Sequence, residues 1–170
     1  MDRFTADQWE AIKSSDAASR SRVADTVLDL LCSLETIVDG FPVDQLTHAC
    51  QAATRAERSG AEPELVVAAL CHDLGKGISS DNHGTISAEI LKPYVSRATY
   101  EVVRTHQDFQ VRHYGPAFGR DPELRERYRH EPWFSIGETF ADEWDQRSFD
   151  PDYDTLPLEH FEPLVRAVFS

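Results

Sequence analysis

The sequence predicts an all-α protein, a compact helical bundle, and three observations carry that reading. Apolar residues recur at helical spacing, as in Val23, Val27, Leu28, Leu31 and Leu34. The breaks between such stretches fall at Gly40-Phe41-Pro42, Gly60 and Pro93, residues that stop helices. No run alternates β-branched and polar residues as a half-buried strand would. The 170 residues suffice for one domain with its own core. Within it, residues 1–40 read as scaffold helices and residues 44–169 hold the chemistry-bearing side chains.

Taken in order, Thr5 is placed to cap a short helix over residues 6–12, and Asp16 to cap a longer one bearing the Val23 to Leu34 face. A third helix begins near Asp44 and runs to Ser59, with Leu46, Cys50 and Ala53 on one stripe and His48 beside it. The apolar run from Pro63 has proline at its first turn and Gly75 past its end, so it reads as a buried helix with His72 and Asp73 in its last turn. The polar loop 77–82 then delivers His83 at the start of a helix that continues through Ile86, Ile90 and Leu91.

Ser96 caps the next helix, whose Val102, Val103 and His106 share a side and which runs out into a loop carrying Arg112 and His113. Mixed charges over residues 121–130 describe a short helix with a solvated face. Pro132 opens a helix whose aromatics face inward and whose last turn offers Asp142, Glu143 and Asp145. Spacing alone does not choose among these three. Pro163 is expected to break the terminal helix.

Composition excludes several classes. A net charge of −13 repels a nucleic-acid duplex, so no nucleic-acid partner is expected. No stretch approaches the ~20 apolar residues of a membrane span, so no membrane partner is expected, and the amino terminus lacks a basic region followed by an apolar core. A cytoplasmic location follows as the expectation. Cys32, Cys50 and Cys71 all lie in apolar helical stretches, with no framework or zinc spacing, and read as reduced, buried thiols.

One histidine beside an apolar stripe is an ordinary core residue. The order His48, His72-Asp73, His83, His106 and Asp145, each on a different helix or helix end, is another matter. It resembles the HD-domain superfamily of dinuclear metal enzymes. Within that superfamily it is most similar to the six-ligand group that includes myo-inositol oxygenase and the phosphonate-cleaving HD-domain oxygenases. The resemblance covers roughly Asp44 to Phe169, and it selects Asp145 through Trp144-Asp145-Gln146 followed by Phe149-Asp150-Pro151. It implies that His48, His72, Asp73 and Asp145 serve one ion while Asp73, His83 and His106 serve the other, with Asp73 the bridge.

The resemblance also implies a chemistry. Four imidazoles and two carboxylates suit borderline metals, two iron ions as Fe(II)/Fe(III), or alternatively manganese or zinc. In the oxygenase group O2 is used to oxidise a hydroxyl-bearing carbon, with cleavage of a C–P or C–C bond, and Asp73 and Lys76 are the catalytic candidates. Lys76, Arg112 and His113 are the candidate contacts for a small anionic or polyhydroxylated substrate. The phosphonate oxygenases carry a histidine where Lys76 stands and a tyrosine and glutamate ahead of the first ligand, where this chain reads Val38-Asp39-Gly40-Phe41. The rival enzyme class is a phosphohydrolase acting on a phosphate ester or nucleotide, in which the metal pair activates water. A regulatory metal-binding module without turnover is a third reading.

Overall fold

The computed structural model describes every residue except Ser21. Among the described residues it contains eight α-helices and no strand. They are α1 (Ala6–Arg20), α2 (Val23–Ser33), α3 (Gln45–Arg58), α4 (Pro63–Cys71), α5 (His83–Leu91), α6 (Arg97–Tyr114), α7 (Phe134–Thr139) and α8 (Leu158–Val168). No described helix is long and apolar enough to cross a membrane.

Two helix pairs frame the bundle, α3 on α4 and α5 on α6. The first pair meets through small side chains: Ala49, Ala52, Ala53 and Ala56 on α3, and Ala68 and Ala69 on α4, are all fully buried. Small residues let the two backbones approach closely, and that brings a polar side chain on each helix within reach of the other. Leu31, Leu34, Leu70, Leu74 and Leu91 fill the space around them. Burial of each such side chain contributes about 1.5–3 kcal/mol. α2 and α8 close the bundle on the α3 and α4 side.

The caps expected at Asp44 and Ser96 form, accepting from the backbone N–H of Thr47 and Thr99. At the amino terminus Thr5 and Gln8 cap reciprocally, Gln8 N–H to Thr5 Oγ1 and Thr5 N–H to Gln8 Oε1. The helix they start does not end at residue 12. It continues through Asp16, which pairs with Arg20 one turn on and caps nothing; the second helix begins at Val23. α1 buries no residue, so its extent is decided by local propensity and not by packing.

Three further expectations change. α8 runs through Pro163 to Val168 unbroken, because Phe161 and Val165 anchor it to the core on either side. Residues 124–128 form a 3-10 turn and not an α-helix. Cys32 is exposed, whereas Cys50 and Cys71 are buried.

Candidate metal centre

The six residues singled out from the sequence converge at the centre of the bundle. His48 projects from α3 and His72 is the residue that ends α4, with Asp73 next to it. His83 begins α5, His106 lies within α6, and Asp145 closes a π-helical turn, Phe140–Asp145, that continues α7. A π turn inserts one residue into the helical register and re-aims the side chain at its end, which is where such turns are used at functional sites. All six are buried, from 0% exposure at His48, His72 and Asp145 to 6% at His83.

Each imidazole is held the same way. Nδ1 of His48, His72, His83 and His106 lies 2.7–2.8 Å from the carbonyl oxygens of Ser148, Ala69, Ser80 and Val103 respectively. A carbonyl only accepts, so Nδ1 carries a proton and donates, and Nε2 is the nitrogen turned to the centre, able to offer its lone pair to a metal once it carries no proton. The four Nε2 atoms face inward in two pairs, His48 with His72 at 3.1 Å and His83 with His106 at 3.2 Å. Two lone pairs at that distance repel unless a cation sits against both. Two ligands about 2.1 Å from one metal ion and at right angles are themselves about 3 Å apart, which is the spacing found.

The carboxylates complete the two groups. Asp73 Oδ2 lies 3.5 and 3.6 Å from Nε2 of His48 and His72, while its Oδ1 lies 3.0 and 3.5 Å from Nε2 of His83 and His106. One carboxylate thus turns one oxygen to each pair. Asp145 Oδ1 lies 3.4 and 3.5 Å from His48 and His72. Asp73 Oδ1 and Asp145 Oδ2 are buried without a hydrogen-bond donor. Burying such oxygens unpaired is costly, and a bound cation is the partner that would relieve it. The donor atoms of His48, His72 and Asp145 fall within 4.8 Å of one another, as do those of His72, Asp73 and His106.

Without metal, a proton takes the cation's place at His48 and is favoured at His83. Burial disfavours a charged His48, yet Asp145 and Asp73 outweigh it and hold the imidazole up at about 9. Burial likewise opposes a charged Asp73 and Asp145, but the surrounding histidines, His72 foremost, keep both carboxyls below the ordinary range. His106 is pushed down by burial, and His83 is raised against burial by its contact with Asp73.

A sequence model described as the HD domain matches residues 46–149, a span that contains all six side chains. The chain belongs to the HD-domain family. HD-domain proteins are generally metal-dependent enzymes, and the buried His and Asp groups described above could hold metal ions. A relative from Gimesia maris (strain ATCC 29201 / DSM 8797 / 534-30), hydroxymethylphosphonate dioxygenase, is 34% identical over 76 residues, covering 38% of each chain. The chain therefore spans well under half the length of that relative.

Beside the HD-domain centre lies a cavity of about 390 Å³ with His83 in its wall. Lys76 lines it, with Nζ 2.7 Å from Asp73 Oδ2 and 2.9 Å from Gln45 Oε1. His113 also lines it and meets Asp142 at 2.8 Å. Arg112 does not line it; its guanidinium is paired with Glu123 on the surface at 3.1 Å. Asp142 is engaged by Arg125 and Glu143 by Arg147, so of the three acids in the last turn only Asp145 reaches the centre.

Some contributors escaped the sequence. Gln110 donates to Asp145 Oδ1 at 2.8 Å, and it stands one helical turn beyond His106, a spacing that could have flagged it. Gln45, three residues before His48, steadies Lys76. Phe149 stacks on the His48 ring at 4.1 Å, with Phe41 stacked on its other face at 4.2 Å. No local signal announces that stack, which joins segments about a hundred residues apart.

Proposed function

We propose that this chain is a dinuclear metal-dependent oxygenase that oxidatively cleaves a C–P or C–C bond of a small hydroxylated substrate. The observation that carries it is the division of six buried donors into two groups sharing Asp73. His48, His72, Asp145 and Asp73 Oδ2 would hold one ion; His83, His106 and Asp73 Oδ1 would hold the other. A pair of iron ions, as Fe(II)/Fe(III), would supply O2 activation and a chelating site for substrate oxygens; manganese or zinc would supply hydrolytic chemistry instead. The similarity to a phosphonate dioxygenase supports the oxygenase reading.

The protein's own part is positioning. The backbone carbonyls that hold each Nδ1–H fix tautomer and ring orientation, so the Nε2 atoms are preorganised before any ion arrives. Gln110 does the same for Asp145. The ammonium of Lys76 sits between the bridging carboxylate and the cavity, where it can offset negative charge on a substrate oxygen while remaining bonded to Asp73. The rings of Phe41, Phe118 and Phe149 line the same cavity and give it an apolar wall. Its volume suits a molecule of a few to about twenty non-hydrogen atoms.

Iron-loaded protein should be offered small hydroxyphosphonates, polyols and phosphate esters with and without oxygen. The proposal expects turnover of a hydroxylated substrate that consumes O2 and stops without it. Phosphate release from an ester in the absence of oxygen would assign the chain to the phosphohydrolases.

A further inference from the structure

Away from the candidate metal centre, two adjoining hollows of about 320 and 340 Å³ share Ser59, Thr139 and Trp144. Beyond that junction the first is mostly apolar, walled by Ala61, Leu65 and Ile136 with Ser135 among them. The second is cationic: Arg55, Arg58 and Arg147 line it against a single carboxylate, Glu143. In a chain with 30 acidic and 17 basic residues, three guanidinium groups in one hollow run against the general field.

The three are differently engaged. Arg58 pairs with Asp154 at 2.8 Å and Arg147 with Glu143 at 2.7 Å, both on the surface, where such pairs add little and exchange readily. Arg55 is half-buried and lies 3.7 Å above the Tyr153 ring. Its Nε is buried without a partner, and its guanidinium meets no acceptor among the described residues. Arg58 lies over the same ring at 5.4 Å, so the two forks are neighbours. The hydroxyls at the junction donate to their own helix carbonyls, Ser59 to Ala56 and Thr139 to Ser135, which leaves the arginines as the donors for an incoming anion.

We propose that this groove is a second binding site, for a phosphoryl or phosphonyl group attached to an apolar body. The oxyanion would lie on Arg55, Arg58 and Arg147, and the body over Leu65 and Ile136. A carboxylate has two oxygens and is matched by a single bidentate fork; a tetrahedral dianion has the oxygens to engage several. The groove backs onto the turn that ends in Asp145, since Trp144 and Arg147 flank that residue. An occupant would therefore touch the segment that presents a proposed metal ligand, without entering the cavity beside His83.

Calorimetric titration of metal-loaded protein with phenylphosphonate, and separately with inorganic phosphate, tests this. Native protein should take up one more equivalent of phenylphosphonate than Arg55→Gln or Arg58→Gln, in each of which that event weakens roughly tenfold or more. Arg166→Gln, which removes a cation paired elsewhere with Asp25 and Glu162, should bind like native protein. Ile136→Ser should weaken phenylphosphonate and leave phosphate unchanged. Arg58 is exposed, so its variant reports even if Arg55→Gln melts early. Binding at the metal centre would persist in both arginine variants, so the difference belongs to the groove. Equal uptake by native and arginine variants, or an equal loss in Arg166→Gln, would overturn the site; equal effects of Ile136→Ser on both probes would overturn the apolar body.

Discussion

Gly75→Ala isolates one half of the candidate centre. A Cβ at residue 75 would stand 2.3 Å from the carbonyl oxygen of His83 and 2.7 Å from its Cα, both backbone atoms that cannot rotate away. Restoring ordinary contact requires the start of α5 to retreat by about 1 Å. That retreat carries His83 away from Asp73 Oδ1, now 3.0 Å from its Nε2. His48, His72 and Asp145 sit on other elements and should keep their places. Overpacking of this kind costs ~1–3 kcal/mol. For a chain of this size each kcal/mol lowers Tm by about 2–4 °C, so a fall of ~2–12 °C is expected. Gly77→Ala is the control, because its nearest neighbour would be Ser33 Oγ at 3.9 Å. Metal analysis and melting curves of the two variants, side by side, decide the matter. Two ions per chain should fall to about one in Gly75→Ala and stay at two in Gly77→Ala. If both variants keep the native metal content and melt together, the close approach of residue 75 to His83 does not position that ligand.

Further outcomes follow from the same geometry. Metal-free His48 holds its proton up to about pH 9 against an ordinary 6.5, so the stability it contributes is full below pH 6.5 and is lost as pH rises through 9. Metal must displace that proton; titrating metal into apoprotein between those pH values should release more acid from the native protein than from His48→Ala, and equal release from both would remove His48 from the ligands. Lys76→Ala should raise KM for an anionic substrate by roughly tenfold or more while both metals stay bound, and an unchanged KM would remove Lys76 from the substrate's surroundings. Cys32 alone should react quickly with a thiol reagent in the native protein, since Cys50 and Cys71 are buried and burial raises both thiols, Cys50 to about 12; three fast equivalents would show the core to be open.

The fold class was legible because it rests on local signals, helical spacing and the caps at Asp44 and Ser96, whereas the six side chains were legible only through their order along the chain and its resemblance to HD-domain enzymes, since His48 and His106 lie within helices and carry no local mark. What failed were decisions made by tertiary packing or by its absence. α1 extends past Asp16 since nothing packs against it to impose a stop, and α8 survives Pro163 because Phe161 and Val165 hold it down on both sides. Asp142, Glu143 and Asp145 could not be separated by spacing, for the register at Asp145 is set by a π turn that the sequence does not advertise. Arg112 stood near the centre in sequence and pairs with Glu123 on the surface, a partner eleven residues away that helical spacing does not bring together.

In the proposed centre two metal ions share Asp73. Anomalous diffraction from crystals of the metal-loaded protein tests it most directly. Two peaks are expected, one enclosed by Nε2 of His48 and His72 with Asp145 and Asp73 Oδ2, the other by Nε2 of His83 and His106 with Asp73 Oδ1. A single peak, or ions bound away from these donors, would contradict it.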